Sequence, residues 1–282
     1  MKLNHAHANI FVPDAVSVEA ALARTTHLCI AAHQDDIELM AYHGIAECFG
    51  RSDRWFTGVV VTNGAGSPRS GLYGNHSDEQ MQTVRLREQR KAAFIGEYGC
   101  QLQLGYSSSA AKDPSRTDLL EDLVEILVAS RPQIVYAHNL ADKHETHIAV
   151  VLRTIAALRS LSGKYRPEKV YGCEMWRGLD WLPDEDKQVL PVSSAPNIAA
   201  ALVGVFDSQI SGGKRYDLAA AGRRLANATY FASHNTDSET ALTYAMDLTP
   251  LIDDPALSIP GYVGSFVNRL KTDIENQLAK LS

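Results

Sequence analysis

A chain of 282 residues with 45% hydrophobic and 21% charged residues has the apolar content of a folded globular protein, which excludes disorder as its main state. The formal net charge is −6, no lysine- or arginine-rich stripe is present, and no apolar run reaches about 18 residues. These features exclude a nucleic-acid binder that works by phosphate neutralisation, and they exclude a helical membrane span.

Thr26–Ala32 (THLCIAA) is a short apolar run that predicts a buried strand ending at His33, and Glu38–Phe49 has helical character. Trp55–Thr62 (WFTGVVVT), β-branched and apolar, predicts a second strand. Asn63–Asn75 holds Gly64, Gly66, Pro68, Gly71 and Gly74 and predicts a long mobile loop. Ser77-Asp78-Glu79-Gln80 matches a capping box, so a helix follows to about Tyr98. Gln101–Leu104 is a short strand, and Arg116–Ser130 an amphipathic helix stopped by Arg131-Pro132. Gln133–Ala137 (QIVYA) is a further strand. Asp142 reads as the N-cap of a helix running to about Leu161, and Lys169–Glu174 reads as another strand. This alternation predicts a Rossmann-like three-layer α/β/α fold with a mostly parallel sheet. Beyond about Met175 the pattern is less regular. Ile198–Phe206, Tyr216–Ala232 and Val263–Leu281 predict helices of a C-terminal extension packed on the sheet.

Cys29, Cys48, Cys100 and Cys173 form no CxxC pair and have apolar or small neighbours, which predicts buried free thiols. The opening residues MKLNHAHANIFVP carry no apolar signal core, so a cytoplasmic location is the expectation and the glycosylation patterns at Asn75 and Asn227 carry little weight.

Two segments carry chemistry. Ala32-His33-Gln34-Asp35-Asp36-Ile37-Glu38 follows the first predicted strand and precedes a helix. Ligands of open α/β sheets bind there, beyond the carboxyl ends of strands. An imidazole and a carboxylate three residues apart in a tight turn can converge on one metal ion, and a second carboxylate between them can point at a water on that ion. The same residues also suit a polar turn whose aspartates cap a helix. The second segment, His138-Asn139-Leu140-Ala141-Asp142-Lys143-His144-Glu145-Thr146-His147, follows QIVYA and opens a helix. His144 and His147, three apart, share a helical face. A solvated helix start with incidental histidines is the plainer alternative. Two such clusters, each beyond a strand end, favour a His/Asp/His site.

AHQDDIE resembles the AHPDDxE signature of the LmbE/PIG-L-like family of zinc-dependent de-N-acetylases, and the second segment resembles that family's HxxH element. Arg85-Leu86-Arg87-Glu88, followed by Ala92-Ala93 and Ile95-Gly96, is similar to its RxxE…A…G helix, and Ser208-Gln209 to a late feature. The resemblance spans roughly residues 25–180 as a catalytic core, with residues 181–282 as its extension in a single domain. It implies His33, Asp36 and His147 as zinc ligands, Asp35 as general base, His144 as transition-state stabiliser or acid, and Arg85 near the substrate. Gln34 departs from the usual proline, which is expected to loosen the turn. His43 stands before Gly44 where a small residue is more usual, with the pocket wall as the place it could disturb.

A three-ligand zinc site keeps a position open for water and acidifies it towards a pKa of about 7. Such a donor set accepts iron, cobalt or manganese as well. The expectation is a hydrolase that takes an acetyl or other acyl group from the nitrogen of an N-acetylglucosamine-type sugar, its small-molecule partner. A neighbouring carboxylate is expected to keep His144 charged, and Glu38 to support a ligand histidine. Arg69 and Tyr73 of the loop are candidates for hydroxyl contacts, and Trp176 for stacking on a sugar face. Arg85 and Glu88 have a plainer reading as a surface ion pair. The alternatives are a metal-dependent hydratase or lyase on the same scaffold, which calls for more cations in the pocket, and a non-catalytic metal- or sugar-binding protein. A nucleotide-binding protein is disfavoured because HQDD replaces a glycine-rich phosphate turn. A homo-oligomer stays open.

Overall fold

The computed structural model describes residues Met1–Ser282. The chain opens with β1 (Asn9–Phe11) and α1 (Val18–Ala23), then runs through β2 (His27–Ala31), α2 (Asp36–Met40), α3 (Tyr42–Cys48) and β3 (Phe56–Thr62). Next come α4 (Asp78–Ile95), β4 (Cys100–Tyr106), α5 (Ser108–Lys112), α6 (Asp118–Ser130), β5 (Ile134–His138), α7 (Glu145–Ser160) and β6 (Lys169–Cys173). The remainder forms β7 (Lys187–Pro191), α8 (Pro196–Gly204), α9 (Asp207–Ile210), α10 (Tyr216–Tyr230), β8 (Leu242–Asp247), α11 (Thr249–Asp253) and α12 (Ile259–Leu281).

All eight strands join one sheet in the order β1-β4-β3-β2-β5-β6-β8-β7. The five central strands are parallel, whereas β1, β8 and β7 pair antiparallel at the margins. Residues of β2 and β3 are buried throughout, as parallel strands covered on both faces must be. Leu28 and Ile30 pack into one layer, with Val135 and Ile155; Cys29 and Ala31 pack into the other, with Ile37 and Ile45. The expected mixed α/β layering is therefore present. The four cysteines are free and buried, and no helix is long and apolar enough to cross a membrane.

The chain winds outward from β2 in both directions, through β3 and β4 on one side and through β5 and β6 on the other. That reversal leaves a crevice at the carboxyl ends of β2 and β5, the position where open α/β sheets bind ligands. Both chemistry-bearing segments start there.

Several boundaries differ from expectation. The helix expected from Glu38 breaks at Ala41 (φ −113°, ψ 22°) into α2 and α3. Arg224, reaching over from α10, donates to the carbonyls of Glu38 (2.8 Å) and Leu39 (3.1 Å), which a continuous helix would use internally. The helix after β5 begins at Glu145, with His144 at its cap; Asp142 lies earlier and accepts from the His144 N–H at 2.9 Å. The capping box at Ser77 is made in full. The C-terminal region is more regular than its sequence pattern, since β8 is buried against both β6 and β7. Pro191 closes β7, an edge strand where a missing N–H is tolerated.

Ile30, buried at the centre of β2, is expected to cost about 2–5 kcal/mol when replaced by Ala. Leu278→Ala, on the exposed end of α12, is expected to stay within about 0.5 kcal/mol of the parent. Denaturant unfolding followed by circular dichroism checks both.

Candidate metal centre and its pocket

The turn between β2 and α2 presents the first donors. Asp35 lies at φ 85°, a left-handed conformation that costs a non-glycine residue about 1–3 kcal/mol and that clusters at functional sites. Asp36 Oδ2 accepts from the His33 backbone N–H at 2.8 Å, which pins the turn. The same oxygen lies 3.2 Å from His33 Nδ1 and 3.3 Å from His147 Nε2, and those two nitrogens are 3.2 Å apart. The structure thus brings His33, Asp36 and His147 together as a triangle of donor atoms. A tetrahedral ion with bonds of about 2.0–2.1 Å requires donors about 3.3 Å apart, so the triangle fits one face of such a site. The donor types also match, two imidazoles and one carboxylate.

His147 stands between two carboxylates, with Asp142 Oδ2 3.5 Å from its Nδ1. Although burial opposes its charge, Asp36 and Asp142 push the imidazole up to about 9. Burial likewise opposes the Asp36 carboxylate, yet the His147 charge and hydrogen bonds from His147 and His33 hold it well below the usual range. The two carboxylates demand positive charge at this point, and a proton or a metal ion supplies it. His138 stacks on His147 with centroids 3.9 Å apart, but its Nε2 accepts from the Ala32 N–H at 2.9 Å and is committed there. Burial pushes the His138 ring down to about 4. Its role is to hold the end of β2 against β5.

Asp35 is buried beside the triangle. Burial raises its carboxyl to about 6, opposed by Arg85, whose Nη2 donates to Oδ2 at 3.1 Å. Arg85 also donates to the Gln34 carbonyl, to Glu88 Oε2 at 3.3 Å and to Ser208 Oγ at 3.5 Å. Glu88 in turn accepts from the Ser208 N–H and hydroxyl, both at 2.7 Å. Arg85 is 1% exposed, so the pair with Glu88 is a buried brace and not a surface ion pair. His144 stands at the mouth with its ring edge-on to His33, 4.9 Å between centroids. Partial burial and the neighbouring His147 and His33 lower its pKa, contrary to the expectation of a carboxylate-held charge; Asp142 is turned to the His144 backbone instead.

The pocket in front of these groups has a volume of about 380 Å³. His33, Asp35, Asp36, Arg85, His144 and Trp176 line it, as do Gly64, Gly66, Ser67 and Pro68 of the loop after β3. Other expected residues lie elsewhere. Arg69 is folded onto Asp78 and the Ala65 carbonyl, and the Tyr73 hydroxyl donates to Asp207 at 2.6 Å; neither lines the pocket. Glu38 touches no ligand histidine. Its Oε1 accepts from Tyr98 (2.7 Å) and Gln89 (2.8 Å), and burial pushes it up to about 8. His43 bonds the Tyr136 hydroxyl at 2.8 Å, away from the pocket wall. Gln34 ties the turn down where loosening was expected, with Nε2 donating to the Thr62 carbonyl (3.0 Å) and Gln103 (3.2 Å).

The pocket also contains Gln209, of the Ser208-Gln209 pair, together with Lys112, Lys214 and Tyr216, which the sequence did not flag. Lys214 lies over the Trp176 ring at 5.1 Å, and Tyr216 meets that ring edge-on. Nothing local marks Lys112, Lys214 and Tyr216, which stand at the end of α5, in the segment before α10 and at the first residue of α10, outside both motifs. Asp142 was visible within HNLADKHETH, but only as a helix cap.

Residues 28–158 match the family model described as PIG-L, GlcNAc-PI de-N-acetylase. A relative named "Uncharacterized deacetylase YaiS", from Escherichia coli (strain K12), is 28% identical over 158 residues, covering 53% of this chain and 77% of the relative. The N,N'-diacetylchitobiose deacetylase of Pyrococcus horikoshii superposes with a TM-score of 0.63 at 13% identity, over 86% of this chain and 90% of that one. GalB, the 4-carboxy-2-hydroxymuconate hydratase of Pseudomonas putida KT2440, superposes at 0.60 with 18% identity, over 79% and 96%. At such identities the solved structures attest the fold alone.

Asp36→Asn and His147→Ala are expected to abolish tight Zn²⁺ and Co²⁺ binding in calorimetric titration. Asp142→Asn, which removes the charge behind the His147 ring, is expected to weaken it by about 10–100-fold.

Proposed function

We propose that the chain, which carries a PIG-L (LmbE-like) family domain, is a metal-dependent hydrolase that removes an acetyl group from the nitrogen of an N-acetylglucosamine-type sugar. The observation that carries this reading is the His33/Asp36/His147 triangle with Asp35 beside it, paired to a buried arginine. The de-N-acetylase description of the family and the deacetylase name of the Escherichia coli relative supply the reaction class. A binding module needs no such carboxylate.

A divalent cation held by His33, Asp36 and His147, zinc or one of iron, cobalt and manganese, would polarise an amide carbonyl and make water a better nucleophile. Asp35 takes the proton of the attacking water, and Arg85 fixes the orientation of its carboxylate. His144 directs a ring N–H at the developing oxyanion. The nitrogen must leave as an amine, because an amide anion is a very poor leaving group. Asp35, once protonated, is placed to return that proton. Trp176 offers a face for the sugar ring, and the polar wall offers partners for hydroxyls.

A second reading has one specific observation in its favour. Lys112 and Lys214 join Arg85 on the pocket wall, which gives the cationic lining that a hydratase of a carboxylated substrate needs.

Amine release from N-acetylglucosamine and N,N'-diacetylchitobiose, against hydration of an unsaturated dicarboxylate followed by its ultraviolet absorbance, separates the two. The expected outcome is amine release that stops on chelation and returns with added metal. Asp35→Ala is expected to lower kcat by about 10²–10⁴ with metal content unchanged. Amine release that survives complete chelation would overturn the metal-dependent mechanism.

A further inference from the structure

A second cavity, of about 190 Å³, lies beside the metal pocket. Leu39, Met175, Ala219 and Ala220 line it, together with Trp176 and Tyr216, the two residues it shares with the metal pocket. The charged side chains on its wall, and Thr243, are already engaged. Glu174 Oε1 accepts from Asn227 (2.6 Å), the Tyr244 N–H (3.2 Å) and Thr243 (3.3 Å). Arg224 donates to the carbonyls that end α2, and Arg223 to the Met175 carbonyl. What is left to face the cavity is largely hydrocarbon, whereas most residues that line the adjoining metal pocket are polar or charged.

We infer that this cavity is an acyl subsite, which receives the alkyl chain of an N-acyl amino sugar whose carbonyl lies in the metal pocket, so that the enzyme favours acyl groups longer than acetyl. The inference rests on the proposed amide hydrolysis and adds the substrate class. An N-acyl amino sugar divides into a hydroxyl-rich ring and an apolar chain, and the two cavities divide in the same way. A sugar hydroxyl in the apolar cavity would lose water without gaining a partner, which costs at least about 1–3 kcal/mol. A buried apolar cavity of about 150 Å³ holds benzene, so this one accommodates about six carbons. The chemistry is that of acetyl removal. Water gives its oxygen to the acyl carbon and a proton to the nitrogen, the C–N bond breaks, and a carboxylic acid and a free amine result.

The test uses the full-length, metal-loaded chain with N-acetyl-, N-butanoyl-, N-hexanoyl- and N-dodecanoylglucosamine. It reads kcat/KM for amine release and, on Asp35→Ala so that substrate is not consumed, the calorimetric Kd. Each buried methylene is worth about fourfold (~0.8 kcal/mol), and chain ordering offsets part of it. Hexanoyl is expected to exceed acetyl at least tenfold in both readings, with no further gain at dodecanoyl. Ala219 is exposed on α10, where a larger side chain is compatible with folding, and Ala219→Phe is expected to cut the hexanoyl-to-acetyl ratio at least tenfold. Ala219→Leu gives a smaller cut in the same direction, and circular dichroism confirms that both variants fold. Equal values for acetyl and hexanoyl, or a ratio unmoved in folded Ala219→Phe, overturn the subsite while leaving acetyl hydrolysis standing. Tighter hexanoyl binding with no amine release from any of the sugars overturns the hydrolase reading and supports the alkyl cavity.

Discussion

A carboxylate taken out of water must be matched by positive charge and hydrogen bonds, or it loses its own charge. Asp36 is 2% exposed and stays ionised because the His33 and His147 imidazoles and the His33 N–H converge on it. That one demand fixes most of the site. It sets the β2–α2 turn, draws the first turn of α7 against it through His147, and brings the ends of β2 and β5 into register through His138 and Ala32. The strained backbone at Asp35 follows, since the chain must leave β2 and enter α2 while both aspartates face the crevice. A cation that binds here joins a charge arrangement already built, so little reorganisation accompanies binding.

The sheet supplies the place and a buried network supplies the stiffness. Arg85 and Glu88, one turn apart on α4, are closed by Ser208 in α9, more than a hundred residues along the chain. This brace holds the Asp35 carboxylate from behind. Asp142 does the same for the His147 ring, and the same oxygen, Oδ2, also accepts from the Trp176 backbone N–H at 3.2 Å. Replacing one partner in such a network leaves its opposite buried and unpaired, which costs more than the net worth of the bond.

The parallel core and the donor triangle were legible because each signal is local: apolar β-branched runs, a histidine and an aspartate three apart, and two histidines three apart. What failed was what requires three dimensions. The sequence suggests Glu38 as support for a ligand histidine, yet it points away from Asp36, two residues before it on α2, and faces Tyr98 and Gln89. Arg69 and Tyr73 were placed by their loop, but Asp78 and Asp207 hold them elsewhere. Lys112, Lys214 and Tyr216 carry no motif, and their arrival in the pocket depends on how α5 and the segment before α10 pack. β8 was missed because its strand character depends on sheet partners on both sides.

Arg224 ends α2 by taking the carbonyls of Glu38 and Leu39. The arginine belongs to α10, in the part of the chain that follows the parallel core, yet it caps the short helix that begins with Asp36. The C-terminal hundred residues thus take part in shaping the segment that follows β2. A chimera that grafts another extension onto this core would leave the Glu38 and Leu39 carbonyls without this donor unless it brings a cation to the same spot.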